Sequence, residues 1–253
     1  GDPSASTHSD AHDPSHGASG SASAGRAAPN GSRSAHIRTR LFAEFLGTLL
    51  LVAAVVGSGI MAQTLSPHDT GLALLENAIA TGAVLLVLIA VFGPVSGASF
   101  NPVVSLIGHV LDGGESLVQL VADIVAQFAG AVVGCWVANA MFSRPWLETS
   151  TKIRTGGPQW FSEVVAVVGL VLIIRGGIRA KANVAAMVAA WITGAYWFTS
   201  STSIANPAVA FGRMFSDSFA GISPGSTPMF IVMQVVGGIV ALVLVRILFD
   251  GVD

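Results

Sequence analysis

From residue 41 onward the chain is a series of long apolar runs separated by short polar breaks. A helix needs about 20 apolar residues to cross the hydrocarbon core of a bilayer. Six runs reach or approach that length: Leu41–Met61, Leu72–Phe92, Leu117–Phe142, Phe161–Arg175, Ala182–Thr199 and Pro228–Phe249. Two further apolar stretches, Asn101–Val110 and Asn206–Phe215, have about half the length needed. Backbone that enters a membrane without crossing it must be buried in protein or line a water-filled cavity. Short, proline-interrupted segments in corresponding halves are the sequence sign of a solute path built from broken helices. The pattern predicts an all-α membrane protein with six transmembrane helices and two half-helices.

The two halves repeat one another. Ala43-Glu44-Phe45 opens the first span and Ser162-Glu163-Val164 the fourth. Asn101-Pro102-Val103 follows the second span and Asn206-Pro207-Ala208 the fifth. Gln127 with Gly130 lies in the third span, and Gln234 with Gly237 and Gly238 in the sixth. Three spans per copy turn the second copy upside down, which predicts an inverted repeat about an axis in the membrane plane. The copies cover about residues 41–142 and 160–249. Arg33, Arg38, Arg40, Arg175, Arg179, Lys181 and Arg246 would collect on one side, against Arg144, Lys152, Arg154 and, at the margin, Arg213 on the other. That bias favours both termini in the cytoplasm of a cell whose inner membrane holds the protein.

Composition sharpens this picture. Only 10% of the 253 residues are charged, against about 25% in a soluble domain, and the mean hydropathy is +0.71. A net charge of -2 offers no surface for nucleic acid. The single cysteine, Cys135, rules out an internal disulfide and a cysteine-based metal cluster. Residues 1–36 are rich in Ser, Ala, Gly, Asp and His and carry no apolar run. They read as a disordered cytoplasmic tail before a membrane domain over 37–253. His8, His12 and His16 recur at spacings of four, but nothing else makes that segment helical, so no metal site is assigned. No cofactor is implied.

The chemistry lies in the paired motifs. Asn is a leading N-cap and Pro suits the first helical position, so each Asn-Pro reads as a helix start inside the membrane. Two half-helices meeting end to end would aim both positive dipole ends at one point, repelling cations there. The amides of Asn101 and Asn206 would offer donors to a passing oxygen. Glu44 and Glu163 sit in apolar helices, where a carboxylate needs partners. They are read as acceptors for backbone N–H groups of the loops before the two asparagines, in preference to a proton relay. Gln127 and Gln234 can serve the same loops.

At this point the residues resemble the aquaporin, or major intrinsic protein, family. The carriers are Ala43-Glu44-Phe45-Leu46-Gly47-Thr48, Ser96-Gly97-Ala98-Ser99-Phe100-Asn101-Pro102-Val103, Ala126-Gln127-Phe128-Ala129-Gly130 and Thr202-Ser203-Ile204-Ala205-Asn206-Pro207-Ala208. The resemblance implies one pore per monomer and a homotetramer. It also implies a narrow filter at Thr81, Gly194, Ser203 and Val209. Two departures stand out. Val103 ends a motif that normally ends in Ala, and Val209 stands where the family normally carries Arg. Arg213 lies one helical turn further on and is expected to snorkel outward. Tyr196, Trp197 and Phe198 are expected to face lipid or other helices.

The resemblance implies a passive channel for small uncharged solutes: water, glycerol-like polyols and, by likeness to a metalloid-conducting bacterial branch, arsenous acid. A wide filter without Arg fits solutes larger than water. The alternatives are a water-selective pore and a proton-coupled transporter. The latter needs a mid-membrane ionisable group, and Asp123 is the sole candidate away from span ends. No Ser/His/Asp cluster, metal-ligand spacing or carboxylate pair points to an enzyme, and His109 is isolated.

Overall fold

The protein is described by a computed structural model covering residues 30–146 and 148–249, with side chains from residue 34. All regular structure among these residues is helical. Helices α1 (Asn30–Leu65), α2 (Thr70–Ser96), α4 (Leu117–Met141), α5 (Gly157–Arg179) and α8 (Thr227–Phe249) are long and apolar enough to cross a membrane. The remaining span, α6 (Val184–Phe198), has 15 residues, or about 22 Å at 1.5 Å per residue. It is shorter than expected because the chain leaves the helix at Thr199, which is extended, to enter the loop leading to Asn206. The fourth span is longer than expected, starting at Gly157 with Pro158 in its first turn, a position proline tolerates.

Helix α1 also begins earlier than the polar composition implied. Residues 30–36, assigned above to the tail, form its first turns. The rest of the tail, with His8, His12 and His16, lies outside the described residues.

The half-helices are α3 (Pro102–Asp112) and α7 (Pro207–Gly212), the latter continued by a 3-10 turn over Arg213–Phe215. Helix contacts follow the repeat. Helix α1 packs on α2 and α4, as α5 packs on α6 and α8, and each half-helix touches both α4 and α8. Close approach of α1 and α4 rests on Gly130, where an added Cβ would collide with the Phe45 carbonyl of α1. Small residues permit this backbone-to-backbone contact in a solvent that supplies no hydrophobic drive between helices.

The outer surface is apolar, and the largely apolar interior holds a set of polar side chains. Val118, Val121 and Val125 of α4 face outward, Val118 at 79% exposure. Glu44, Gln127, Glu163 and Gln234 are buried at the centre. This distribution suits lipid as the surrounding solvent.

Candidate functional site

Two irregular loops, 97–101 and 199–206, carry the centre of the molecule. Ala98 and Phe100, three and one residues before Asn101, have φ of 49° and 51°. Ser203 and Ala205, in the matching places before Asn206, have φ of 52° and 50°. Left-handed backbone costs a non-glycine residue roughly 1–2 kcal/mol, so both loops need outside support. Glu44 and Glu163 supply it. Glu44 accepts hydrogen bonds from the backbone N–H of Ser99 (3.1 Å) and Phe100 (2.9 Å), from Ser96 Oγ (2.6 Å) and from Gln127 Nε2 (2.9 Å). Glu163 accepts from the N–H of Ile204 (3.0 Å) and Ala205 (2.8 Å) and from Gln234 Nε2 (2.6 Å). With both oxygens of each committed, the carboxylates are braces for the loops.

Each asparagine then works twice. Asn101 Oδ1 accepts from the N–H of Val103 at 3.1 Å. Asn206 Oδ1 accepts from the N–H of Ala208 (3.0 Å) and Val209 (3.1 Å). In the other direction, Asn101 Nδ2 donates to the Ala205 carbonyl at 2.8 Å and Asn206 Nδ2 to the Phe100 carbonyl at 2.7 Å. The two motifs are thus cross-bonded, each holding the residue that precedes the other. An amide nitrogen has two hydrogens, so one N–H of each remains for the lumen, half of what an unbonded amide would offer. Pro102 and Pro207 are buried at the helix starts, as is Ala208. Val103, larger than the alanine of the matching motif, is accommodated by α8, where a Cβ on Gly238 would stand 2.7 Å from Val103 Cγ1.

A cavity of about 150 Å³ runs beside both asparagines. Its walls include Leu85, Val188 and Ile192, with Thr81, Tyr196, Ser203, Val209 and Arg213 together in the lining. Thr81 Oγ1 and Tyr196 Oη are 3.1 Å apart and hydrogen-bonded, and Ser203 Oγ is buried without a partner. Gly194 is not in this wall. It is exposed, with nothing within 4 Å of an added Cβ. The phase of α6 explains why. Val184, Val188, Ile192 and Tyr196 recur every four residues and share the lining face, while Gly194, two residues out of step, points about 200° away. Trp197 and Phe198 face outward at 50% and 56% exposure. The recurrence of Val184, Val188, Ile192 and Tyr196 every four residues is the signal in the sequence that the assignment of Gly194 passed over; it marks one face of α6 without saying what that face meets.

Arg213 also departs from expectation. It is buried and turns inward, its Nε hydrogen-bonded to the Ala220 carbonyl. The loop that supplies this carbonyl is held by two further cations from the loop between α4 and α5. Arg154 donates to the carbonyls of Gly221 (2.9 Å) and Phe219 (3.2 Å), and Lys152 Nζ donates to Phe219 at 2.5 Å. Three consecutive carbonyls, 219 to 221, are therefore tied down by three basic side chains. Burial, with Arg154 and Arg213 nearby, holds the Lys152 amine down at about 7.

Toward the end where α1 begins and α8 ends lies a second cavity of about 230 Å³, which shares Gly97, Ser99, Val104 and Ile174 with the first. The two cavities adjoin at those shared residues. The rim of the second is charged but paired: Arg40 with Glu115 and with Asp123 (2.8 Å), and Arg175 with Asp112 (2.6 Å). Asp123 also accepts from Gln119 at 3.0 Å, so it is engaged structurally. His109 lines this cavity, with Nδ1 unpartnered.

An inverted repeat whose half-helices abut through paired asparagines beside two adjoining cavities defines a membrane channel of the broken-helix type. The chain belongs to the major intrinsic protein family, whose sequence model (Major intrinsic protein) matches residues 32–204. It is 52% identical over 208 residues to the aquaglyceroporin AqpS of Rhizobium meliloti (strain 1021), covering 82% of this chain and 88% of that one. It is 30% identical over 186 residues to aquaporin TIP1-2 of Musa acuminata, covering 67% and 72%. The X-ray structure of the aquaglyceroporin from Plasmodium falciparum superposes with a TM-score of 0.65 at 21% identity, over 85% of this chain and 98% of that one. The protein is a multi-pass membrane channel for small solutes, and not an enzyme.

Proposed function

We propose that the protein conducts small uncharged solutes passively, glycerol-like polyols and water among them, with undissociated metalloid acids such as arsenous acid as further cargo. The observation that carries this reading is the cavity beside Asn101 and Asn206, whose lining contains no carboxylate among the described residues, while Asp112 and Glu115 of the second cavity are paired with Arg175 and Arg40. Proton coupling has no acid there to act on. The relative AqpS is named an aquaglyceroporin, which supports polyols over water alone. Selectivity is assigned to Thr81, Tyr196, Ser203 and Val209, with Tyr196 in the place given above to Gly194. Valine at 209 leaves more room than arginine would, which suits solutes larger than water.

The protein acts as a homotetramer in the inner cell membrane, both termini cytoplasmic, in keeping with the excess of Arg and Lys at that end. Proteoliposomes decide the matter. Swelling in gradients of glycerol, urea and arsenous acid should run without pH dependence and without accumulation. Uphill accumulation driven by a proton gradient would establish the transporter instead, and swelling in water alone the water-selective pore.

A further inference from the structure

We propose that Lys152 is a site of reversible carbamylation: its amine takes up carbon dioxide, and the Arg154 guanidinium seats the carbamate that forms. This goes beyond the choice of solute, because the chemistry lies in the loops after α4 and before α8 and needs nothing from the lumen.

The strap over 219–221 gathers Lys152, Arg154 and Arg213 on three consecutive carbonyls. No carboxylate pairs with any of them among the described residues; the ion pairs found involve Arg40, Arg144 and Arg175. Arg154 is 8% exposed. Burial, with Arg213 next, pulls its guanidinium below the ordinary arginine range. A buried cation with only neutral acceptors is short of a counter-ion.

The amine and the guanidinium are direct neighbours. Lys152 Nζ donates to the Phe219 carbonyl at 2.5 Å, and Arg154 Nη2 donates to the same oxygen at 3.2 Å. The Phe219 ring centroid lies 4.5 Å from Nζ and covers one side of it. Lys152 is half-buried, so a small molecule in solution can reach it. Arg154 has five N–H groups. Three are used, by Gly221, Phe219 and Thr202 Oγ1, which leaves two for an incoming anion.

Burial and the two arginines keep part of the Lys152 amine unprotonated near neutral pH, so its lone pair is available. That pair attacks the carbon of carbon dioxide. A carbon–nitrogen bond forms, the electron pair of one C–O π bond moves to oxygen, and a proton passes from nitrogen to water. Nothing is oxidised or reduced. The carbamate nitrogen keeps one N–H, enough to hold its bond to the Phe219 carbonyl. Its two oxygens match the planar donors of Arg154. An aldehyde would leave a cationic imine and an acyl donor a neutral amide; of the three, only carbon dioxide supplies the missing counter-ion.

The test equilibrates the full chain in detergent with isotopically labelled bicarbonate, traps carbamates by ethylation with a trialkyloxonium salt, and reads the peptides by mass. Lys181, exposed and the other lysine of the chain, is the internal control. At about pH 7.5 the label on Lys152 should exceed that on Lys181 by about tenfold or more, because an ordinary lysine amine is almost wholly protonated there. Equal label, or none on Lys152, overturns the proposal. Arg154→Gln separates a seat for the anion from an amine that is merely unprotonated. Acylation by acetic anhydride reports free amine, whereas trapped label reports the anion held. The ratio of label to acylation rate at Lys152 should fall by about fivefold or more in Arg154→Gln, for the loss of a charge-assisted bond. Label that falls only in proportion to acylation would show that the guanidinium holds nothing, and would overturn the proposal. If Arg154→Gln does not fold, the same ratio in the unaltered protein decides: it must be higher at Lys152 than at Lys181, and an equal or lower ratio refutes the seat.

Discussion

Replacing Glu163 tests the claim that its carboxylate braces the second loop. Glu163→Leu leaves the N–H groups of Ile204 and Ala205 and the amide of Gln234 without their acceptor. Each buried donor left unmade costs about 1–3 kcal/mol, so the three cost about 3–9 kcal/mol. A whole domain holds about 5–15 kcal/mol, and the protein should fail to assemble its lumen. Glu163→Gln is the sharper probe. An amide presents one oxygen and one NH₂, so the side facing Ala205 and Gln234 or the side facing Ile204 must meet donor with donor. If the oxygen takes the former side, one buried N–H is lost and two bonds to a carboxylate become weaker neutral ones, about 2–4 kcal/mol in all. At about 2–4 °C per kcal/mol for a chain of this size, the melting midpoint in detergent should fall by roughly 4–16 °C. Glycerol flux per folded molecule should fall with it. A Glu163→Gln protein that melts and conducts as before would refute the bracing argument, and lost proton coupling at unchanged stability would restore the relay.

Other expectations follow from single contacts. Gly238→Ala should overpack against Val103 Cγ1 at about 1–3 kcal/mol; adding Val103→Ala should recover most of it, and a double-mutant cycle on melting midpoints without coupling would disprove the contact. Val209→Arg should narrow the ring and cut glycerol or metalloid swelling more than water flux; an equal fall in both, or none, would show that the constriction lies elsewhere. The Lys152 amine, held at about 7 by burial and neighbouring arginines, should react with an acylating reagent along a pH profile whose midpoint is near 7. Its folded value lies below the unfolded one of about 10.4, so burying it costs most below pH 7 and the strap should grow more stable as pH rises from 7 toward 10. Peptide mass analysis separates it from Lys181, the other lysine of the chain, and a midpoint near 10 would mean the amine is not buried as described.

The amino-acid sequence alone determined the spans, the inverted repeat, the Asn-Pro helix starts and the carboxylates that serve the loops. Those features are local or self-repeating. A cap reads the N–H two or three residues ahead, and a span is a run of neighbours judged against one solvent. The tertiary structure decided which side chains form the ring. Tyr196 and Gly194 sit two residues apart on one helix, and only the packing of α6 against its neighbours selects the face that meets the lumen. Arg213 could not be aimed without the strap, because its acceptor at Ala220 lies between carbonyls held by Lys152 and Arg154 from a loop 65 to 67 residues earlier in the chain. The cross-bonds between the asparagines join residues 104 and 106 apart. Contacts at such separations are set by how the two repeats interlock, which no window of sequence contains.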